Sequence, residues 1–174
     1  MRELTIRSTT KVRAVKNNPP INVEAVKLHP GIPLSLIELK RVSRFVLKQE
    51  KVSSAQLTLV LASDHFLRRL NKKFKKSDMP TDVLSFDLSS DIKNGILFGD
   101  IAVSVDSAVR ASKSLSLTLK EELTRYLVHG ILHLTGYDDT TANKKKKMWK
   151  RQEELMNKLR MHSVSQSPSS QEHQ

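Results

Sequence analysis

From Ile21 onward the chain alternates: Ile21, Val23 and Ala25 fall on one parity and Asn22 and Glu24 on the other, which predicts a half-buried first strand over 21–28. His29-Pro30-Gly31 closes it with a turn. Pro33 suits a first helical turn, and Leu36, Ile37, Val42, Phe45 and Val46 then form an apolar stripe at helical spacing to about Gln49. Leu57, Leu59 and Leu61 alternate with Thr58 and Val60 as a second strand. Ser63-Asp64 is the expected cap of a helix turning Phe66, Leu67, Leu70 and Phe74 inward and a basic face outward.

Asp78-Met79-Pro80-Thr81-Asp82 breaks that helix. Val83–Leu88 is expected as a third strand and, after a polar connection containing glycine, Gly99–Val105 as a fourth. Asp106 or Ser107 is expected to cap a short helix ending at Ser112. The longest informative helix runs from Thr118 to about Thr135, with Thr118 and Glu121 spaced as a capping box and Gly136 at its stop. A last basic helix is expected over 141–161, on which Trp149 is expected to anchor to the core rather than offer a stacking platform.

These elements divide the chain into a basic N-terminal extension, 1–20, one domain, 21–161, and a Ser- and Gln-rich tail, 162–174, expected to be disordered. Leu4 and Ile6 are compatible with a short strand instead, and the basic start faintly resembles an organelle leader. No internal repeat is present.

Composition narrows the chemistry. Apolar residues make up 38% of the 174, enough for a core without staples, and the absence of cysteine removes disulfides and thiolate ligands together. No run approaches the roughly 18 apolar residues of a membrane span, so a cytoplasmic protein with no membrane partner is the expectation. The net charge of +12 favours polyanionic partners. Its cations cluster at Arg68, Arg69, Lys72, Lys73, Lys75 and Lys76 and again at Lys144–Lys147, Lys150 and Arg151, patterns suited to phosphates, with a solvated surface as the alternative.

His129 and His133 lie four residues apart on the long helix, so both imidazoles project from one face, close enough to grip one ion. Gly136 lets the chain reverse and swing Asp138 or Asp139 back toward it, Asp139 being the preferred third ligand. Three ligands without cysteine describe an open catalytic site whose fourth position is left for water. Zn²⁺ is expected, although two histidines and a carboxylate also serve non-haem iron. Zinc proteases place a glutamate directly after the first histidine; here Gly130 stands there, which removes the proton acceptor a peptidase needs.

The run His129-Gly130-Ile131-Leu132-His133-Leu134-Thr135-Gly136-Tyr137-Asp138-Asp139 resembles the signature of the YbeY endoribonuclease family, His-Gly-x-Leu-His-Leu-x-Gly-Tyr-Asp-His. A second match begins at Leu70-Asn71, passes Phe74-Lys75, and continues through Asp78-Met79-Pro80-Thr81-Asp82-Val83-Leu84-Ser85-Phe86, and a third is Gly99-Asp100-Ile101. The resemblance spans about residues 21–160. It implies a single-domain α+β fold with a four-stranded mixed sheet packed with about five to six helices and a metal site on a central helix. It further implies single-strand-specific RNA cleavage in ribosomal RNA maturation, at the 3′ end of small-subunit rRNA, and in ribosome quality control. Its implied partners are the small ribosomal subunit and an Era-type GTPase.

Two departures stand out. Asp139 replaces the family's third histidine, and its charge makes the ion a weaker Lewis acid. Lys75 replaces an arginine that serves the substrate, keeping the charge but losing the planar fork. The residues expected to act are therefore His129, His133 and Lys75 in catalysis, with Arg69, Lys72, Lys73, Lys75, Lys76 and Ser85 on RNA. Ser85 faces with Val83 and Asp87 in strand alternation, and serves either a structural hydrogen bond or a phosphate. Asp100 is a supporting residue, as a turn carboxylate or orienting a metal-bound histidine. Tyr137 and Asp138 are expected to fix the turn, and His29, His65, His162 and His173 to be incidental. The rivals are an RNA- or ribosome-binding assembly factor with little turnover and a metal-dependent hydrolase of another phosphoester.

Overall fold

Ala55, Leu57, Leu59 and Leu61 alternate with Gln56, Thr58 and Val60, and the strand they build lies in the interior of the sheet. A computed structural model of the protein describes residues 20–30, 35–89 and 92–164. In chain order the elements are β1 (Asn22–Lys27), α1 (Leu36–Gln49), β2 (Ser54–Ala62), α2 (Asp64–Lys75), β3 (Val83–Asp87), a 3₁₀ turn (Ile92–Asn94), β4 (Ile96–Ser104), α3 (Val105–Leu115), α4 (Leu119–Leu134) and α5 (Ala142–Val164). The sheet order is β1-β2-β4-β3, with β1, β2 and β4 parallel and β3 antiparallel to β4. The α+β class, the four-stranded mixed sheet and the number of helices agree with expectation.

The two parities of the strands face different partners. Leu57, Leu59, Leu61, Leu97, Ile101 and Val103 pack with α1, α4 and α5 into the main core, while Leu84, Ala102 and Ala62 meet Leu67 of α2 on the other face. Each fully buried leucine or isoleucine contributes about 1.5–3 kcal/mol relative to exposure. This core holds α4 across the sheet, where Leu123, Leu127, Val128, Ile131, Leu132 and Leu134 are buried. The capping box closes its start as expected, the Thr118 hydroxyl accepting from Glu121 N–H and Glu121 accepting from Thr118 N–H.

Several boundaries differ from expectation, for physical reasons. β2 and β4 pair along nine residues, Ser54↔Ile96 to Ala62↔Ser104, so each begins three residues before its alternation is legible. Helix α3 is capped by Ser104, whose hydroxyl accepts from Ser107 N–H, so Val105 is already helical; Asp106 instead accepts from Asp64 N–H and meets His29. Helix α1 starts at Leu36 behind a Ser35–Glu38 capping box, and Pro33 lies outside the described residues. Phe74, expected inside, is 58% exposed and touches the sheet only edge-on, against Phe86. Trp149 does not anchor α5: it is 61% exposed, and Met148, Gln152, Leu155 and Met156 supply the buried stripe. The helix also continues to Val164, so residues 162–164 belong to it rather than to a disordered tail. The expectations for residues 1–19 and 165–174 lie outside the described residues.

Candidate metal centre and its cleft

Helical spacing alone places His129 and His133 on one face of α4, and packing against β3 determines what lies opposite. Gly130 makes that approach possible: a Cβ there would stand 2.9 Å from Ile101 Cγ2, 3.1 Å from Ser85 Oγ and 3.2 Å from Val83 Cγ2. With no side chain in the way, Ser85 Oγ donates to the Gly130 carbonyl at 3.0 Å. The glycine found where a peptidase would carry its glutamate thus seats the helix on the sheet.

Two groups fix the rings. His133 Nδ1 lies 3.2 Å from the carbonyl oxygen of Tyr137, which can only accept, so Nδ1 carries the proton. His129 Nδ1 lies 3.0 Å from Gln152 Oε1. The Gln152 amide is oriented by its Nε2, which points to the Glu153 carboxylate at 3.5 Å and leaves the oxygen for His129. Both Nδ1 atoms therefore donate, and the two Nε2 atoms face each other at 3.1 Å as lone pairs. Burial, and then the facing His129, hold His133 below the ordinary imidazole range, which keeps it neutral and able to ligate.

Two converging lone pairs repel unless a cation lies between them, and 3.1 Å is within the reach of two bonds of about 2.0–2.1 Å to a single ion. A carboxylate oxygen of Asp139 completes a set of three ligand atoms all within 4.8 Å of one another. The residues fit a divalent metal with a position left open.

The turn beyond α4 delivers Asp139. Gly136 takes a φ of +94° that other residues resist, and Tyr137 N–H closes on Leu132 O at 3.0 Å. Asp138 turns away from the histidines. It accepts from Thr140 N–H at 2.7 Å and from Lys144 Nζ at 2.7 Å, contacts that hold its carboxyl well below the usual range, with Lys144 the largest cause.

The cleft in front of the histidines has a volume of about 330 Å³ and is also lined by Lys75, Thr81, Asp82, Val83 and Ser85. Of the residues expected on RNA, Lys75 and Ser85 line it, and the others stand outside its wall. Lys72 bonds Asp78 at 3.4 Å, Arg69 lies over the Phe66 ring and Lys73 over Phe74. Lys76, at the left-handed end of α2, is exposed.

Asp100 does not orient either histidine. It pairs across from Phe86 on the parity opposite Ile101, and Ile101 is the residue beneath Gly130, so the Asp100 side chain projects from the other face of the sheet. The orienting group is Gln152, which sequence reasoning missed. Asp82 was also missed as a lining residue, although it stands within the second motif. His29 meets Asp106 at 3.0 Å, far in sequence from the metal group.

A profile of the family described as Endoribonuclease YbeY matches residues 35–160. The chain belongs to the YbeY family. Among curated relatives, Endoribonuclease YbeY of Myxococcus xanthus is 38% identical over 157 residues, covering 88% of this chain and 52% of that protein. The Endoribonuclease YbeY of a Sulfurihydrogenibium species is 36% identical over 123 residues, covering 70% of this chain and 81% of its own length. The chain thus spans about half of the first relative and most of the second. A Thermotoga maritima protein of known solution structure aligns with a TM-score of 0.59 at 26% identity, covering 87% of this YbeY-family chain and all of that one. Both ring-bearing positions, the cleft wall and Gln152 fall within the matched segment.

Proposed function

We propose that this chain is a zinc-dependent endoribonuclease that cleaves single-stranded RNA and acts in ribosomal RNA maturation and ribosome quality control. The observation that carries the metal is the pair of Nε2 lone pairs 3.1 Å apart, each ring held from behind by its own acceptor. The family's name carries the substrate class, and the net charge of +12 agrees with it. Family resemblance also extends the proposal to the small ribosomal subunit and an Era-type GTPase as partners, in the cytoplasm. No described helix is long and apolar enough to cross a membrane.

His129, His133 and Asp139 would hold the ion. When bound, it supplies Lewis acidity that makes water a better nucleophile and offsets charge developing on the phosphoryl group. Lys75, in the lining of the same cleft, brings a positive charge to a phosphate there. Ser85 is committed to the Gly130 carbonyl as donor, and its remaining lone pairs can accept from a ribose hydroxyl. Asp82, also in the wall, repels phosphate oxygens on its side and so favours one direction of entry.

Elemental analysis of purified protein, paired with cleavage of single-stranded and duplex RNA, tests this reading. One zinc per chain and single-strand cleavage are expected, both lost in His129→Ala and His133→Ala with the fold retained. Turnover in a demonstrably metal-free preparation would falsify the mechanism. Asp139 and Lys75 favour a second reading, an RNA-binding assembly factor with little turnover, which the same assay separates by binding without cleavage.

A further inference from the structure

The exposed indole of Trp149 has no role in the fold or in the metal centre described above. It stands 61% exposed on α5, next to the buried Met148 but on the outer side of the helix. Three residues later Gln152 touches His129, and four residues later Glu153 pairs with Arg125 of α4. Positions three and four apart share a helix face, so Trp149 lies one turn from the residues through which α5 borders the metal centre.

Its neighbours define the ligand. Lys145 and Lys146 precede it by four and three residues and Lys150 follows it, all exposed, and no acid occurs from Thr140 to Arg151. Lys144 is occupied by Asp138, and Lys147 lies over the Tyr137 ring at 6.0 Å. That leaves Lys145 and Lys146 one turn before the indole on its side of the helix, and Lys150 next to it in sequence. A protein interface is built round a cluster of apolar side chains, but none of the other large exposed apolar residues lies nearer in α5 than Met161, three turns away. A single exposed aromatic ring on a helix surface rich in lysine instead matches a strand that alternates bases and phosphates.

We infer that Trp149 is a stacking platform for an unpaired base of the RNA, with Lys145, Lys146 and Lys150 on the flanking phosphates. The inference rests on the endoribonuclease reading and adds to it a second contact point, on α5, one helical turn from Gln152. Such a platform prefers single strands because a paired base has no free face to offer. It also tolerates any base, since every base presents a π-face.

Trp149 is the only tryptophan, so its fluorescence reports on this one position. The experiment compares a single-stranded RNA oligonucleotide, an abasic oligonucleotide of the same length and a duplex, following intrinsic fluorescence alongside anisotropy of a label on the nucleic acid. Quenching that saturates together with anisotropy is expected for the single strand, with little quenching by the other two. Trp149→Ala should weaken single-strand binding by about 5- to 150-fold and leave abasic binding nearly unchanged, with Trp149→Phe between. Single-strand binding without quenching, or equal affinity in Trp149→Ala, overturns the platform while leaving the endoribonuclease reading in place. Absence of binding by all three probes overturns both. A concentration-dependent dimer abolished by Trp149→Ala without RNA would assign the ring to self-association and overturn it as well.

Discussion

The side-chain oxygen of Gln152 in α5 accepts from Nδ1 of His129 in α4 at 3.0 Å. This contact fixes one tautomer and aims Nε2 at the partner histidine. Gln152 is 6% exposed, so the contact is shielded from bulk solvent. Gln152→Leu should therefore weaken metal binding by about 10- to 100-fold, the usual effect of losing a group that orients a ligand. Gln152→Glu should tighten it, since a carboxylate raises the basicity of the ring. Competition against a chromophoric chelator measures both, with the melting temperature of the metal-free protein as control. Unchanged affinity in Gln152→Leu would remove Gln152 from the metal centre.

Gly130 offers a steric test. Alanine gains about 1 kcal/mol in helix propensity over glycine. Here the new methyl would meet Ile101 Cγ2 at 2.9 Å and Val83 Cγ2 at 3.2 Å, both in the sheet beneath, and overpacking of this kind costs about 1–3 kcal/mol. The clash wins because neither strand can retreat from the core. Gly130→Ala should lower the melting temperature by a few degrees and reduce metal affinity, because the helix that carries both histidines must lift. A variant that melts higher than the wild type would show that α4 has room to shift.

Glu121 and Glu122 are neighbours with opposite responses to pH. Hydrogen bonds from the backbone and hydroxyl of Thr118 hold the Glu121 carboxyl below its ordinary value. Its stabilising effect is present above the unfolded-state pKa and lost as pH falls through the lower folded one. Burial pushes Glu122 above its ordinary value despite the nearby Arg125, so its contribution is complete at low pH and lost as pH rises through the folded pKa. Thermal melts at pH 7 and pH 3 check the signs. Glu121→Gln should melt below the wild type at pH 7, by a margin that shrinks at pH 3. Glu122→Gln should match or exceed the wild type at pH 7, because Arg125 keeps Glu153, and lose that advantage at pH 3.

Much of this was legible in the chain because it is local. The alternation at 57–61, the Thr118–Glu121 capping box and the stop at Gly136 each reside in a few adjacent residues, and α4 follows from them. His129 and His133 needed only helical spacing, which is why their shared face could be read directly. Gln152 could not be read that way: it lies 23 residues from His129, and only the packing of α5 on α4 brings the two together. Trp149 was misplaced for a related reason. Hydrophobicity suggested a core anchor, but the helix phase is set by Met148, Leu155 and Met156, which turns position 149 outward. Asp100 was a missed use of parity, since Ile101 facing α4 requires its neighbour to face away.

Lys75 tests how far the cleft depends on the shape of its cation. It lines the same cleft as the histidines, and its positive charge also contributes to depressing His133. An ammonium contacts phosphate as a point charge, whereas a guanidinium grips two oxygens at once. If charge alone matters, Lys75→Arg leaves turnover unchanged and Lys75→Ala lowers kcat/KM for RNA. If geometry matters, as the family's arginine suggests, Lys75→Arg raises kcat/KM about tenfold, equivalent to about 1.4 kcal/mol of transition-state stabilisation. The split between kcat and KM tells where the cation acts: a change in KM alone marks a uniform hold on the phosphate, and a change in kcat marks one that strengthens in the transition state. The outcome expected here is a rise in kcat with little change in KM, and a Lys75→Ala variant with full activity would exclude the residue from the reaction.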